Sequence, residues 1–481
     1  MPSYKLLDHV HSRATLNDGV VVWQREDLVN AVQDWINRLD TLNAHVIAFD
    51  LPNGLEWVAL DLALLDSGRV AVPIPSFFSE QQRNHVIRSA GADVVIQSCK
   101  QVGGDLPGSA DQIFRGTEIR IRRGHQAPTL HKDVALITYT SGSTGAPKGV
   151  CLSAATLIEI AQGLVETLRG VAIERHLAVL PLTLLLENTA GLFANLLNGS
   201  EIFVPQLNKL GIDGSSDLTL PEFIAGLDRF TPDSIILVPA LLLGVVAAAE
   251  FGLSEFPYLE FVAVGGGRIA RSLLERASSQ NIPVYEGYGL TECGSVLSLN
   301  TPERRAMGTV GQLLPHVQAE VINEELVVHK PIMLGYLGET IGNTSVVNTG
   351  DKVAIDEDGF VTLSGRIKNT FITSFGRNVS PEWIESELQS EIAIAQASVF
   401  GEALPRNIAV IVARGEFGDS DVEQAVQQCN ARLPDYARIG QWHRVSREEM
   451  HSIDGLTANG RPRRAEIYNA YQHLIITPLE N

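Results

Sequence analysis

Val134-Ala-Leu-Ile-Thr-Tyr-Thr-Ser-Gly-Ser-Thr-Gly-Ala-Pro-Lys-Gly149 joins an apolar run to a loop of hydroxyls, glycines and one cation. Residues 134–138 read as a buried strand of an α/β core. In the loop, Gly142, Gly145 and Gly149 let backbone amides turn toward an anion, Thr140, Ser141, Ser143 and Thr144 add hydroxyls, and Lys148 adds positive charge. Those groups together make a phosphate cradle. It is not the common P-loop, because Pro147 precedes the lysine and Gly149 follows it. The same composition also suits a flexible turn between the strand and a helical stretch over 157–168.

On either side of the loop, helix-like amphipathic segments alternate with short apolar strands. Residues 28–42, 57–65 and 80–90 read as helices, and 46–49, 70–72 and 94–96 as strands. This is the rhythm of a parallel sheet covered by helices. It resumes with strands at 201–204, 234–238 and 261–264 and a helix at 223–229. After Gly311 the texture changes to short alternating strands at 320–322, 325–329 and 359–363, which predicts a small β-rich subdomain ending near Gly365. A helix at 384–391, strands at 397–400 and 409–412 and a helix at 422–433 then supply a second, smaller α+β domain. The predicted division is 1–366 and 367–481.

A chain of 481 residues exceeds what one core organises, and its 45% hydrophobic content suffices to bury two. The net charge of −19 argues against a nucleic-acid partner, since a phosphate backbone needs a basic face. Cys99, Cys151, Cys293 and Cys429 lack metal-ligand spacing and fit reduced thiols in a cytoplasmic protein. The amino terminus lacks signal-peptide character. The longest apolar run, 235–249, is short for a membrane span and holds Pro239 and Gly244, so it predicts a buried strand followed by a core helix.

Further motifs follow the loop. They are Gly265-Gly-Gly267, Pro283-Val-Tyr-Glu-Gly-Tyr-Gly-Leu-Thr-Glu292, Asn348-Thr-Gly-Asp351 and Gly365-Arg-Ile-Lys368. Their order and spacing resemble the adenylate-forming superfamily, which comprises acyl-CoA synthetases, the adenylation domains of peptide synthetases and luciferases. The resemblance runs over residues 20–470 and implies that a carboxylate attacks the α-phosphate of ATP. Two anions then meet, and the site must neutralise charge and align them.

The resemblance implies a role for each matched position. The loop 140–145 with Lys148 would hold the leaving pyrophosphate, and Gly265, Gly266 and Gly267 would lie along the adenine. Tyr288, beside Gly289, would stack on that ring, Thr291 would touch the α-phosphate, and Glu292 would bind Mg²⁺, for which a hard oxygen ligand is suited. Asp351 would hold the ribose hydroxyls, Arg366 would stand near ribose and phosphate, and Lys368 would be the hinge. Gly376, in Thr373-Ser-Phe-Gly-Arg377, would line the entry tunnel for a thiol, with Phe375 replacing a frequent glycine.

Two departures from the family pattern bear on function. The segment Leu180-Pro-Leu-Thr-Leu-Leu-Leu-Glu-Asn188 places Leu184 where many acyl-CoA synthetases have a histidine or aromatic beside the acyl site, and Glu187 is its only acid. An unpaired substrate ammonium in an apolar pocket is costly, so a hydrophobic acid is expected rather than an amino acid. The second departure is Asn459-Gly-Arg461, where the family has Asn-Gly-Lys. Arginine keeps the charge, but its planar fork is not an ammonium, and Arg463 and Arg464 lie close by.

The expected activity is therefore ATP- and Mg²⁺-dependent activation of a hydrophobic acid, most simply a fatty acid, with transfer to CoA. A separate acyl carrier protein is the alternative acceptor. A catalytically weakened nucleotide-binding homologue is the rival reading, motivated by Arg461.

Overall fold

The computed structural model describes residues 5–99, 109–122, 128–140, 147–214, 217–339, 346–457 and 460–476. Two large sheets form the N-terminal domain. One has eight strands, and at its centre Val46–Asp50 pairs in parallel with Val70–Pro73 and Val94–Ser98. Val134–Thr140 extends it in parallel beside Val70–Pro73. Strands covered on both faces need apolar residues throughout, and Val46–Asp50 is buried at every position. The second sheet runs in parallel through Arg175–Leu177, Ser234–Leu237, Phe261–Val264 and Val284–Tyr288.

The apolar run at 235–249 divides as expected into the strand Ser234–Leu237 and the helix Pro239–Glu250. Pro239 occupies the first helical turn, where its missing N–H has no intrahelical partner to lose. Among the described residues no helix is long and apolar enough to cross a membrane.

One expectation fails at the opening motif. A strand, Lys148–Ser153, follows the loop and precedes the helix Ala154–Thr167. It pairs antiparallel with Val134–Thr140, and Thr140 faces Lys148 in the register. Val134–Thr140 is therefore followed by an antiparallel partner strand before the helix begins.

The β-rich stretch forms a four-stranded antiparallel sheet of Gln318–Ile322, Glu325–Lys330, Val347–Ile355 and Val361–Arg366. Its core contains Leu326, Val328, Val353 and Val361, packed against Cys293 and Leu297. The smaller C-terminal domain is built on a three-stranded sheet, Ile394–Phe400, Asn407–Ala413 and Ile439–Val445. The helices Pro381–Gln389 and Asp419–Arg432 pack in one core of that domain and Arg464–Ile476 in another.

Candidate active site

Parallel strands leave their carboxyl ends open, and ligands of such sheets gather there. Phe261–Val264 runs straight into Gly265-Gly266-Gly267, and Val284–Tyr288 runs into Gly289. Both ends open on one cleft of about 2530 Å³, closed on the far side by the C-terminal domain. Thr140, Thr291, Glu292, Asp351, Arg366, Lys368, Arg461 and Leu184 line it as well. Sequence-distant motifs thus converge on one cavity. Ser141, Gly142, Ser143, Thr144 and Gly145 lie outside the described residues.

Backbone geometry explains two glycines. Gly266 has φ +77°, a left-handed conformation that side chains disfavour. A Cβ on Gly289 would sit 1.5 Å from the carbonyl oxygen of Ser295.

Asp351 and Arg366 are direct cross-strand partners, which is why fifteen residues of sequence bring them together. Arg366 Nε lies 2.9 Å from Asp351 Oδ1, and the Tyr288 hydroxyl donates to Asp351 Oδ2 at 2.7 Å. Arg366 also donates to the carbonyl of Thr349 at 2.7 Å. Burial pushes the Asp351 carboxyl up, and the Arg366 cation opposes that shift. Burial, reinforced by the Asp351 carboxylate, also raises the Tyr288 phenol.

Arg461 reaches across from the C-terminal domain and donates from a terminal guanidinium nitrogen to the carbonyl of Gly266 at 2.5 Å. Arg461 stays exposed to solvent as a whole, but crowding around its guanidinium lowers its pKa first and the nearby Arg366 cation further, while Asp351 opposes both. Its two neighbours are occupied elsewhere. Arg463 pairs with Asp454 of its own domain, and Arg464 holds Glu385 at 2.8 Å and donates to the carbonyl of Val399 at 2.7 Å. Of these three arginines, Arg461 is the one aimed at the glycine turn.

Lys148 is exposed at the start of the strand Lys148–Ser153, outside the cleft lining, with its ammonium 5.3 Å from the centre of the Tyr336 ring. The Tyr336 hydroxyl donates to Glu292 Oε1 at 2.8 Å. Burial, then the Glu292 carboxylate, raises that phenol. Sequence reasoning did not single out Tyr336. Its position is set by the fold, through the two-residue strand Gly335–Tyr336 added beside Lys148–Ser153. Glu286 was also passed over, although it lies inside a quoted motif. It lines the cleft, and burial pushes its carboxyl up to about 7 against the pull of a Gly308 amide, Arg268 and Arg305.

Among the described residues no cluster of three acidic, histidine or cysteine side chains could cage a metal. A single carboxylate at Glu292 suits Mg²⁺, which is commonly held by one or two carboxylates together with substrate phosphates.

The acyl-pocket assignment of Glu187 is corrected. Its carboxylate is fully buried, 2.9 Å from His176 Nε2, and accepts the Leu180 amide at 3.0 Å. His176 Nδ1 in turn contacts Ser234 Oγ at 2.8 Å. Glu187 does not line the cleft and supports the wall from behind. It lies in a π-helix, Leu186–Phe193, a rare form concentrated at functional sites. Leu184 and Ala190 face the cavity with Leu164, Leu168, Ile173 and Ala194, giving it an apolar flank. Gly376 also stands outside the cleft lining, in an open turn at φ +72° beside Phe375, which is 76% exposed.

Residues 24–337 match the family model of the AMP-binding enzyme, and residues 368–478 match that of the AMP-binding enzyme C-terminal domain. Long-chain-fatty-acid–CoA ligase FadD13 of Mycobacterium tuberculosis is 25% identical over 449 residues, which cover 86% of each chain. The fold is similar to that of the anthranilate CoA ligase AuaEII in complex with anthranoyl-AMP, with TM-score 0.77, 18% identity and 98% of each chain covered. O-succinylbenzoate coenzyme A synthetase from Bacillus subtilis, in complex with ATP and magnesium ion, gives TM-score 0.73 at 19% identity over 97% of this chain and 99% of that one. With a glycine turn, a tyrosine–aspartate–arginine network and an arginine from the second domain meeting in one cleft, the chain belongs to the family of AMP-binding, adenylate-forming enzymes.

Proposed function

We propose that this enzyme activates a hydrophobic carboxylic acid, a fatty acid in the simplest case, and transfers it to CoA. A carboxylate oxygen attacks the α-phosphorus of ATP, the α–β bridging bond breaks, and pyrophosphate leaves. The thiol sulfur of CoA then attacks the acyl carbonyl, AMP departs with the bonding pair, and the thiol proton passes to solvent. Mg²⁺, when bound at Glu292, would neutralise phosphate charge. Tyr288, Asp351 and Arg366 would hold the nucleoside, and Arg461 would meet the acyl carboxylate and the α-phosphate.

The observation that carries this reading is the placement of Arg461 against Gly266, with Arg366 and Asp351 near enough to shift its pKa. A guanidinium directed there can bridge two anions, which favours a competent ligase over a weakened homologue. Full use of Glu187 within the wall supports a hydrophobic acid, because the acid that could have met a substrate ammonium is occupied. We place the boundary between the domains at 366/367 and take Lys368 as the point about which the smaller one turns. Gly376 would then enter the cleft for thioester formation.

Acid-dependent exchange of pyrophosphate into ATP, run across saturated fatty acids, aryl acids and amino acids, tests the proposal. Exchange is expected with fatty acids and not with amino acids. Preference for an amino acid would overturn the substrate class, and no exchange with any acid would overturn the activity.

A further inference from the structure

The two domains meet at a second place besides Arg461. Glu387, near the end of the helix Pro381–Gln389, is 5% exposed although it carries a carboxylate. It enters the first turn of Arg271–Ser279, a helix of the N-terminal domain. The amide of Arg271 donates to Glu387 Oε1 at 3.2 Å, and the Ser272 hydroxyl donates to Oε2 at 2.9 Å. Behind it, Arg432 Nε lies 3.3 Å from the same Oε2. The contact continues at Ser390, whose hydroxyl is 3.2 Å from that of Ser272 and whose carbonyl accepts from Arg276 at 2.9 Å.

A carboxylate is favoured at a helix N-terminus because free amides and the helix dipole converge there. The docked helix begins four residues after Gly267. Residues 265–267 and the helix are therefore one continuous segment, gripped by Arg461 at its glycine turn and by Glu387 at the first turn of the helix. Arg432 belongs to the same domain as Glu387 and would travel with it. Undocking exchanges the Arg271 and Ser272 bonds for water without leaving a buried anion unpaired.

We propose that Glu387 is a positioning residue that latches the smaller domain in the orientation that presents Arg461. It selects adenylation over thioester formation without touching substrate. This rests on the proposed two-step reaction and adds a residue that governs passage between the steps. Two charge-assisted hydrogen bonds that exist in one orientation only bias the population by about tenfold or more.

The test uses the full chain with exposed Cys99 replaced by serine and spin labels on Phe251→Cys and Glu416→Cys, two exposed positions on opposite domains. A single dominant interdomain distance is expected, and Glu387→Ala or Ser272→Ala should redistribute it while circular dichroism stays unchanged. An unchanged distribution in both variants overturns the latch. In parallel, pyrophosphate exchange with dodecanoate should fall about tenfold in Glu387→Ala. Thioester formation from supplied dodecanoyl-adenylate and CoA should hold or rise, and Glu387→Gln should fall between wild type and Glu387→Ala. Equal loss in both half-reactions overturns the positioning role. If the unsubstituted enzyme shows neither reaction with dodecanoate, the substrate reading fails and the distance measurement alone decides the latch.

Discussion

The two faces of the cleft are built on opposite principles. On the N-terminal face the polar groups satisfy one another before any ligand arrives. Tyr288 and Arg366 share the two oxygens of Asp351, and Tyr336 holds Glu292. Tyr288, Tyr336, Asp351 and Arg366 stand on strand ends or cross-strand pairs, which fix their spacing, and Glu292 sits in the short 3₁₀ turn Thr291–Cys293. The C-terminal face brings Arg461 from a loop to the glycine turn, while Arg463 and Arg464 keep that domain together. On the proposed reading, the nucleotide face is preorganised and the charge that distinguishes the reacting state is brought in from outside. An enzyme arranged in this way can bind ATP on one rigid surface and change chemistry by moving the other.

The sharpest way to break the contrast is Arg461→Ala. It should cost about a hundredfold to a thousandfold in adenylation, the scale of removing one group that meets developing charge. Thioester formation from a supplied acyl-adenylate should be spared. Arg461→Lys should retain adenylation, and rapid-quench measurement of the two half-reactions checks both. An effect on both steps would mean that Arg461 belongs to the rigid face after all.

The rigid face should fail differently. Gly289→Ala drives a methyl into the carbonyl of Ser295, so a stability loss of about 3 kcal/mol is expected in urea unfolding, with every activity lost together. A smaller effect is expected from Arg464→Met, which leaves the Glu385 carboxylate, 8% exposed, without its cation. Stability should drop by about 2 kcal/mol, while the adenylation rate per folded molecule stays unchanged.

An effect of similar size concerns pH. The folded carboxyl of Glu286 titrates near 7, above its ordinary value of 4.5, so the native state binds the extra proton between those values. Its contribution is complete at low pH and is lost as pH rises toward 7. Glu286→Gln should therefore gain about 2 kcal/mol on the wild type between pH 5 and pH 8 in chemical unfolding.

Much of this arrangement was legible in the sequence because the preorganised face is written in local patterns. Apolar runs ending in glycine marked the carboxyl ends of buried strands, and Asp351 and Arg366 were separated by a hairpin's length. Other features depend on partners far along the chain. The strand Lys148–Ser153 follows the glycine-rich loop so closely that the sequence read as a turn between the strand at 134–138 and the helical stretch over 157–168. Glu187 looked like a lone acid among leucines, because its partner His176 lies eleven residues upstream and meets it only through the fold. Glu387 resembled any solvated charge on a helix until Arg271 and Ser272 closed over it.

The π-helix Leu186–Phe193 has a consequence for how such a pocket diversifies. A π turn holds more residues than an α turn, and the surplus is retained only because tertiary contacts keep it. Here those contacts are the Glu187–His176 pair and the bond from Asn188 to Asp61. Loss of a single codon in this segment could return it to α-helical winding. The side chains beyond the deletion would then rotate about the axis by about 100°. Ala190 and Ala194 would leave the cavity and other residues would replace them, while the nucleotide face across the cleft stayed as it is. A change in acyl preference would then require one re-phasing event rather than a series of point substitutions.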